Sequence, residues 1–301
     1  MSKASAGDRR SRIAAQRAAH QAARRRFRLL LAIGAIVVVV AIVLTVVLLH
    51  GSGPAATSAT APAGPTGTAL TALTDQVRTV PASALETVGA GTVTTKPTTI
   101  SGSPLTSGGK PEMLYIGAEY CPYCAAERWA MIVALNRFGT FTGLATIRSA
   151  AHNGAGNAEP YPNTPTWTFV HATYTSHWLT FTSVEEYTNI PDRTTGGYTT
   201  LQNLTADQQA LLQKYDAAYQ GAIPFIDYGN KFMSVGASYD PAVLAGLSWT
   251  QIAADLHEPT SAVGKAVLGA ANYTTAAICG ITGDQPANVC TTSIKALRAQ
   301  F

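Results

Sequence analysis

The chain has 301 residues, of which 47% are hydrophobic and 13% charged, a balance that excludes a largely disordered protein. The net charge of +4 averages two unlike parts: residues 1–28 hold nine Lys/Arg against one acid (+8), and the remainder twelve Lys/Arg against sixteen Asp/Glu (−4). A basic tail suits nucleic acid or anionic lipid, and the segment after the tail decides between them.

Leu29 to Leu49 is an uncharged, almost wholly apolar run, matching the roughly 20 residues of a membrane-spanning helix. The basic flank precedes it, and no Lys or Arg follows until Arg78. The positive-inside rule then places 1–28 in the cytoplasm and everything after His50 outside, so no nucleic-acid role is expected. A cleaved signal peptide is the rival reading: Arg24-Arg25-Arg26-Phe27 resembles a twin-arginine signal and Ala59-Thr60-Ala61 a cleavage site. The apolar run exceeds the roughly 7–15 residues of a signal core, which favours a single uncleaved anchor. Residues 50–75, rich in Gly, Pro, Ala and Thr, read as a flexible linker.

Residues 76–256 read as one α/β domain, with an insertion at about 151–203, and 257–301 as a C-terminal helical extension. Pro81 starts a short helix. Thr98 to Leu105 suits a leading strand, and Met113 to Ile116 a short buried one. Pro122 occupies the first turn of a helix that Gly139 ends. Leu144 to Ile147 reads as a second strand, which makes a βαβ unit with parallel strands. Ala151 to Thr166 is loop-like, and Trp167 to Thr188 suits two strands around Ser176-His177. Thr205 and Gln208 form a capping box for a helix over Leu204 to Tyr219. Ala222 to Tyr239 reads as a hairpin turning at Gly229-Asn230, and Ser248 caps the next helix. Ser261 to Phe301 has helical apolar spacing.

Chemistry concentrates at "MLYIGAEYCPYCAAERW", Met113 to Trp129. Cys121 precedes Pro122 at a helix start, where unpaired N–H groups and the positive end of the dipole favour a thiolate and an exposed sulfur. Cys124 lies one turn on, in position to resolve a mixed disulfide formed on Cys121. So small a ring is a poor structural staple. Zinc is the main competitor, but no second C-x-x-C accompanies the pair, and the scattered histidines, the H-x₅-H of His171 and His177 included, read as polar surface or loop residues. A soft-metal chaperone for Cu(I) needs only the two thiolates and stays open, as does a non-catalytic envelope scaffold presenting Trp167 to Thr188. Cys279 and Cys290, eleven apart around a turn-rich stretch, read as a structural disulfide, with a second redox pair as the alternative.

The element order strand, C-x-x-C helix, strand, insertion, helix, X-Pro, hairpin, helix is similar to the thioredoxin fold, a central mixed sheet flanked by helices. "GKPEMLYIGAEYCPYC" looks like the active-site strand of that superfamily, and Ile223-Pro224 like its Ile-cis-Pro. Cys-Pro-Tyr-Cys is the motif glutaredoxins commonly carry. More narrowly, "YIGAEYCPYCAAERWA", "NRFGTF" and the anchor resemble the family called domain of unknown function 929, over most of residues 70–300. The resemblance implies a membrane-anchored thioredoxin-like protein and supplies no substrate; with the dithiol, the expectation is a thiol–disulfide oxidoreductase. Cys121 would attack and Cys124 resolve, with Pro224 shaping the groove and Tyr120, Pro122, Tyr123 and Ile223 lining the rim. The substrates expected are protein or peptide thiols and disulfides, with a further redox partner and no cofactor. Tyr115 stands where thioredoxins hold a buried acid, which makes Glu119 the first candidate to accept the Cys124 proton and Glu127 the second.

Overall fold

The computed structural model describes residues 63–301. The expected basic tail, the anchor at 29–49 and most of the linker lie outside them. The first described element, α1 (Gly67–Arg78), overlaps the end of the expected linker and buries Leu73 and Val77. Among the described residues, no helix is long and apolar enough to cross a membrane. The short helix α2 (Ala82–Val88) starts after Pro81, as its sequence predicts.

A mixed sheet forms the centre, flanked by helices. The strand β3 (Lys110–Gly117) runs through it and becomes fully buried from Met113 onward. On one side it pairs antiparallel with β11 (Phe225–Tyr228), which pairs with β12 (Phe232–Val235), which in turn pairs with β1 (Thr98–Thr99). The start of β3 pairs antiparallel with β2 (Thr106–Ser107), and Glu112 to Gly117 pair parallel with β8 (Thr180–Glu185). The β11–β12 hairpin turns at Gly229-Asn230, both with positive φ (64° and 57°), as an Asn or Gly turn requires.

Two expectations fail in the sheet. The strand expected at Leu144 to Ile147, β5 (Ala145–Arg148), does not return to the sheet; it pairs antiparallel with β6 (Pro165–Thr168). The parallel partner of β3 is instead β8, so the segment expected as an insertion supplies a sheet strand. Four residues of a short strand carry almost no information about their partner, which long-range packing decides. Residues 167–188 do hold two strands around Ser176-His177, but the two do not pair with each other: β7 (Thr173–Ser176) pairs with β4 (Gly139–Thr142) and β8 with β3, while the following β9 (Tyr187–Pro191) pairs with β10 (Tyr198–Thr200).

The helix α3 (Pro122–Leu135) ends at Leu135, and Gly139 opens β4 rather than closing the helix. All of α3 except Tyr123 is buried, so it has no solvent face. Against it lies α6 (Ala262–Ile281), also buried over most of its length. The C-terminal segment is therefore part of the main core. Buried Asn272 of α6 donates to the carbonyls of Leu85 and Gly89, satisfying the end of α2. The capping box of α4 (Ala206–Tyr215) forms at Thr205/Gln208 and Ser248 caps α5 (Trp249–Asp255), as their sequences predict; Gln251 completes a second box at Ser248. The last helix is α7 (Thr292–Arg298).

Candidate active site

The pair of thiols sits where β3 hands the chain to α3. Cys121 is the N-cap residue: its backbone is extended (φ −71°, ψ 121°) and its Sγ accepts the Cys124 N–H at 3.1 Å. An orphan donor of the first turn therefore points at this sulfur. The Cys121 thiol donates to the Ile223 carbonyl at 3.7 Å, and the Ile223-Pro224 peptide is cis. The helix start and the start of β11 thus meet across one sulfur, and this sets Pro224 beside the dithiol.

The sequence predicts an exposed sulfur, and the structure corrects this. Cys121 is only 3% exposed and Cys124 is fully buried, packed with Ala118, Tyr120 and Ile223. Both are free thiols. The Cys124 thiol is pushed well above its ordinary pKa, chiefly by burial and then by its hydrogen bond with Cys121; nearby Arg128 works the other way. The two cysteines are therefore chemically unequal, with Cys124 held as the thiol and Cys121 supplied with a donor.

Arg128, one turn further along α3, is the component that the sequence did not reveal. Its side chain and that of Glu185, at the end of β8, are both wholly buried. Nε and Nη2 donate to the two Glu185 carboxylate oxygens at 2.9 and 2.6 Å, and Nη2 also donates to the Ala118 carbonyl at 2.7 Å. This two-point geometry is that of a charged pair. Burial alone would push the guanidinium down, but Glu185 beside it, with Tyr115 and Cys124, holds it above its usual value. Burial raises Glu185, and Arg128 opposes that shift. The Tyr115 ring lies under Arg128, 5.8 Å from its Cζ, and its buried hydroxyl has no hydrogen-bond partner among the described residues. Burial raises the Tyr115 pKa, with Arg128 opposing and the Cys124 sulfur adding to it. The position where a buried acid was expected holds a neutral phenol, and the charge beside Cys124 is an arginine.

The two candidate proton acceptors face different ways. Glu119 accepts a hydrogen bond from Thr168 Oγ1 at 2.7 Å, and its backbone N–H donates to Tyr187. Glu127 is fully buried and accepts from the Ser238 N–H and hydroxyl at 2.8 and 2.9 Å, away from the thiols. Burial pushes its pKa up to about 7 against those bonds. Trp129 belongs to the core, donating to the Pro165 carbonyl and meeting Trp167 edge-on.

Tyrosines form the rim. Tyr123 is 39% exposed and meets Tyr161 edge-on. Tyr120 stacks on Tyr198 at 4.0 Å and meets Tyr187 at 6.2 Å. Among the described residues no group of three or more His, Cys, Asp and Glu could hold a metal ion. Cys279 and Cys290 form a disulfide, with 5.6 Å between Cα atoms, buried in the main core between α6 and α7.

Residues 96–280 match the family model described as "Domain of unknown function (DUF929)". No curated protein and no solved structure matches the chain.

Proposed function

The chain belongs to the DUF929 family, and for it we propose a thiol–disulfide oxidoreductase of thioredoxin-like fold, held outside the cytoplasmic membrane by the apolar segment 29–49. One observation carries the reading: Cys121 Sγ caps α3, accepts the Cys124 N–H and faces the Ile223 carbonyl before cis-Pro224. A strand, a C-x-x-C helix start and a cis-proline strand meeting at one sulfur also favour the thioredoxin-like assignment. The buried Arg128–Glu185 pair supports it further, because a fixed cation beside Cys124 stabilises the thiolate that forms during turnover.

In the reductive direction the Cys121 thiolate attacks one sulfur of a substrate disulfide. The substrate S–S bond breaks, a Cys121 mixed disulfide forms, and the departing thiolate takes up a proton. Cys124 then loses its proton, with Glu119 the first candidate acceptor, and attacks Cys121 Sγ. The products are a Cys121–Cys124 disulfide and a second substrate thiol. Every step reverses when a more oxidising partner regenerates the pair, and the compartment's potential sets the direction.

Trapping tests this reading. With Cys124→Ser, a peptide disulfide is expected to leave a stable mixed disulfide on Cys121, resolved by mass spectrometry. With Cys121→Ser, no adduct is expected. Adducts on neither variant would remove the oxidoreductase reading.

A further inference from the structure

A cavity of about 470 Å³ opens beside the dithiol, lined by Tyr120, Tyr187, Asp192, Thr195, Tyr198 and the backbone around Gly197. Its nearest wall is the residue before Cys121. Burial first, and then the Cys121 sulfur, raises the Tyr120 hydroxyl, and Cys121 also contributes to the rise at Tyr198, so both rings lie within reach of that sulfur's charge. Tyr120 and Tyr198 form one slab, stacked with an 8° interplanar angle, and Tyr187 (38% exposed) stands at 64° to Tyr120.

Among the described residues, the one charged side chain lining this cavity is an acid. Asp192, on the turn between β9 and β10, lines it, held as a carboxylate by hydrogen bonds from the Thr194 N–H and hydroxyl and from the Thr195 hydroxyl. Glu159 stands behind the slab, accepting from the Tyr198 hydroxyl at 2.5 Å. Among the described residues no Lys or Arg lines the cavity; Arg193 is exposed and outside the lining. The chain beyond residue 28 is acidic as a whole, at −4.

Aromatic faces with a fixed carboxylate and no cation select a cationic side chain. Resting on the oxidoreductase reading, we propose that the substrate is a polypeptide carrying Lys or Arg close to its reactive cysteine, whose positive side chain docks in the Tyr120–Tyr187–Tyr198 cavity against Asp192.

The test uses the full-length chain in detergent and three peptide disulfides identical except for Arg, norleucine or Glu two residues from the cysteine. We expect kcat/KM in the order Arg, norleucine, Glu, with Arg about tenfold over norleucine at low salt and less at high salt. Asp192→Asn and Tyr187→Leu should each reduce that ratio to about threefold or below. Norleucine equal to or better than Arg, or a ratio unchanged in both variants, would overturn the proposal. A parallel arm measures binding of the same peptides with cysteine replaced by serine. If Arg preference persists there while no peptide exchanges with Cys121, the docking site stands and the oxidoreductase reading fails. If the peptides exchange but show no Arg preference in either arm, the docking site fails alone. With neither exchange nor preference, both fail.

Discussion

At the scale of residues, the pairing of Arg128 with Glu185 decides most about the dithiol's surroundings. Removing one member of a buried ion pair leaves the other charge without compensation, which costs about 3–5 kcal/mol. Arg128→Met is therefore expected to lower stability by that amount, read from denaturant midpoints. The double variant Arg128→Met/Glu185→Gln should recover part of the loss, because no uncompensated charge remains. If the folded double variant resolves mixed disulfides on Cys121 more slowly than wild type, and the deficit shrinks as pH rises, the cation acts on Cys124 as well as on the fold. A rate equal to wild type at every pH would confine Arg128 to stability. The sequence alone does not reveal this pair. An arginine on a helix ordinarily reads as a solvated charge, and only the tertiary pairing of β3 with β8 brings Glu185 to it. The cysteines and Pro122 were legible because their chemistry is local or fixed by spacing, whereas Ile223-Pro224 was read only through its resemblance to the Ile-cis-Pro of thioredoxins. The burial of Cys121 was not, since its cover comes from Ala118, Tyr120 and Ile223 together.

At the scale of elements, α6 approaches the loop after α2 backbone to backbone. A Cβ on Gly269 would lie 2.7 Å from the Ala90 carbonyl oxygen and 3.0 Å from the Gly91 Cα. Gly91 itself has φ +55°, and a Cβ there would lie 2.0 Å from the Lys265 carbonyl oxygen. Each glycine is needed for this close approach, so neither neighbour can yield without moving backbone. Gly269→Val should therefore destabilise the fold by about 1–3 kcal/mol, seen as a lowered urea midpoint. An unchanged midpoint would mean that the loop shifts freely. The same elements show where sequence patterns succeed. Caps at Thr205 and Ser248 and the Gly229-Asn230 turn were readable because each depends on residues a few positions apart. The partner of β3 lies more than sixty residues along the chain, and nothing in a four-to-six-residue strand names it.

At the scale of the whole molecule, buried carboxyls tie stability to pH, Glu127 and Asp227 among them. Burial pushes Glu127 up to about 7, and pushes Asp227, at the hairpin turn, up to about 6. Because both folded values lie above the ordinary carboxyl range, the folded state binds more protons than the unfolded state across that interval. Their contribution is fully present below the unfolded pKa and is lost as pH rises towards 6 and 7. The protein should therefore be more stable near pH 5 than near pH 7.5 as far as these groups decide it. Glu127→Gln should flatten the decline, as measured by denaturant midpoints across that range. A decline of equal slope in the variant would assign the effect elsewhere.

The central claim is that Cys121 and Cys124 form a working dithiol, and equilibration in glutathione buffers of graded ratio, followed by acid quench and thiol trapping, tests it most directly. The predicted result is a two-electron transition in which Cys121 and Cys124 lose and regain both thiols together, with the Cys279–Cys290 disulfide intact throughout. Cys121→Ser should abolish the transition. Thiols at positions 121 and 124 that stay unchanged at every ratio would contradict the account.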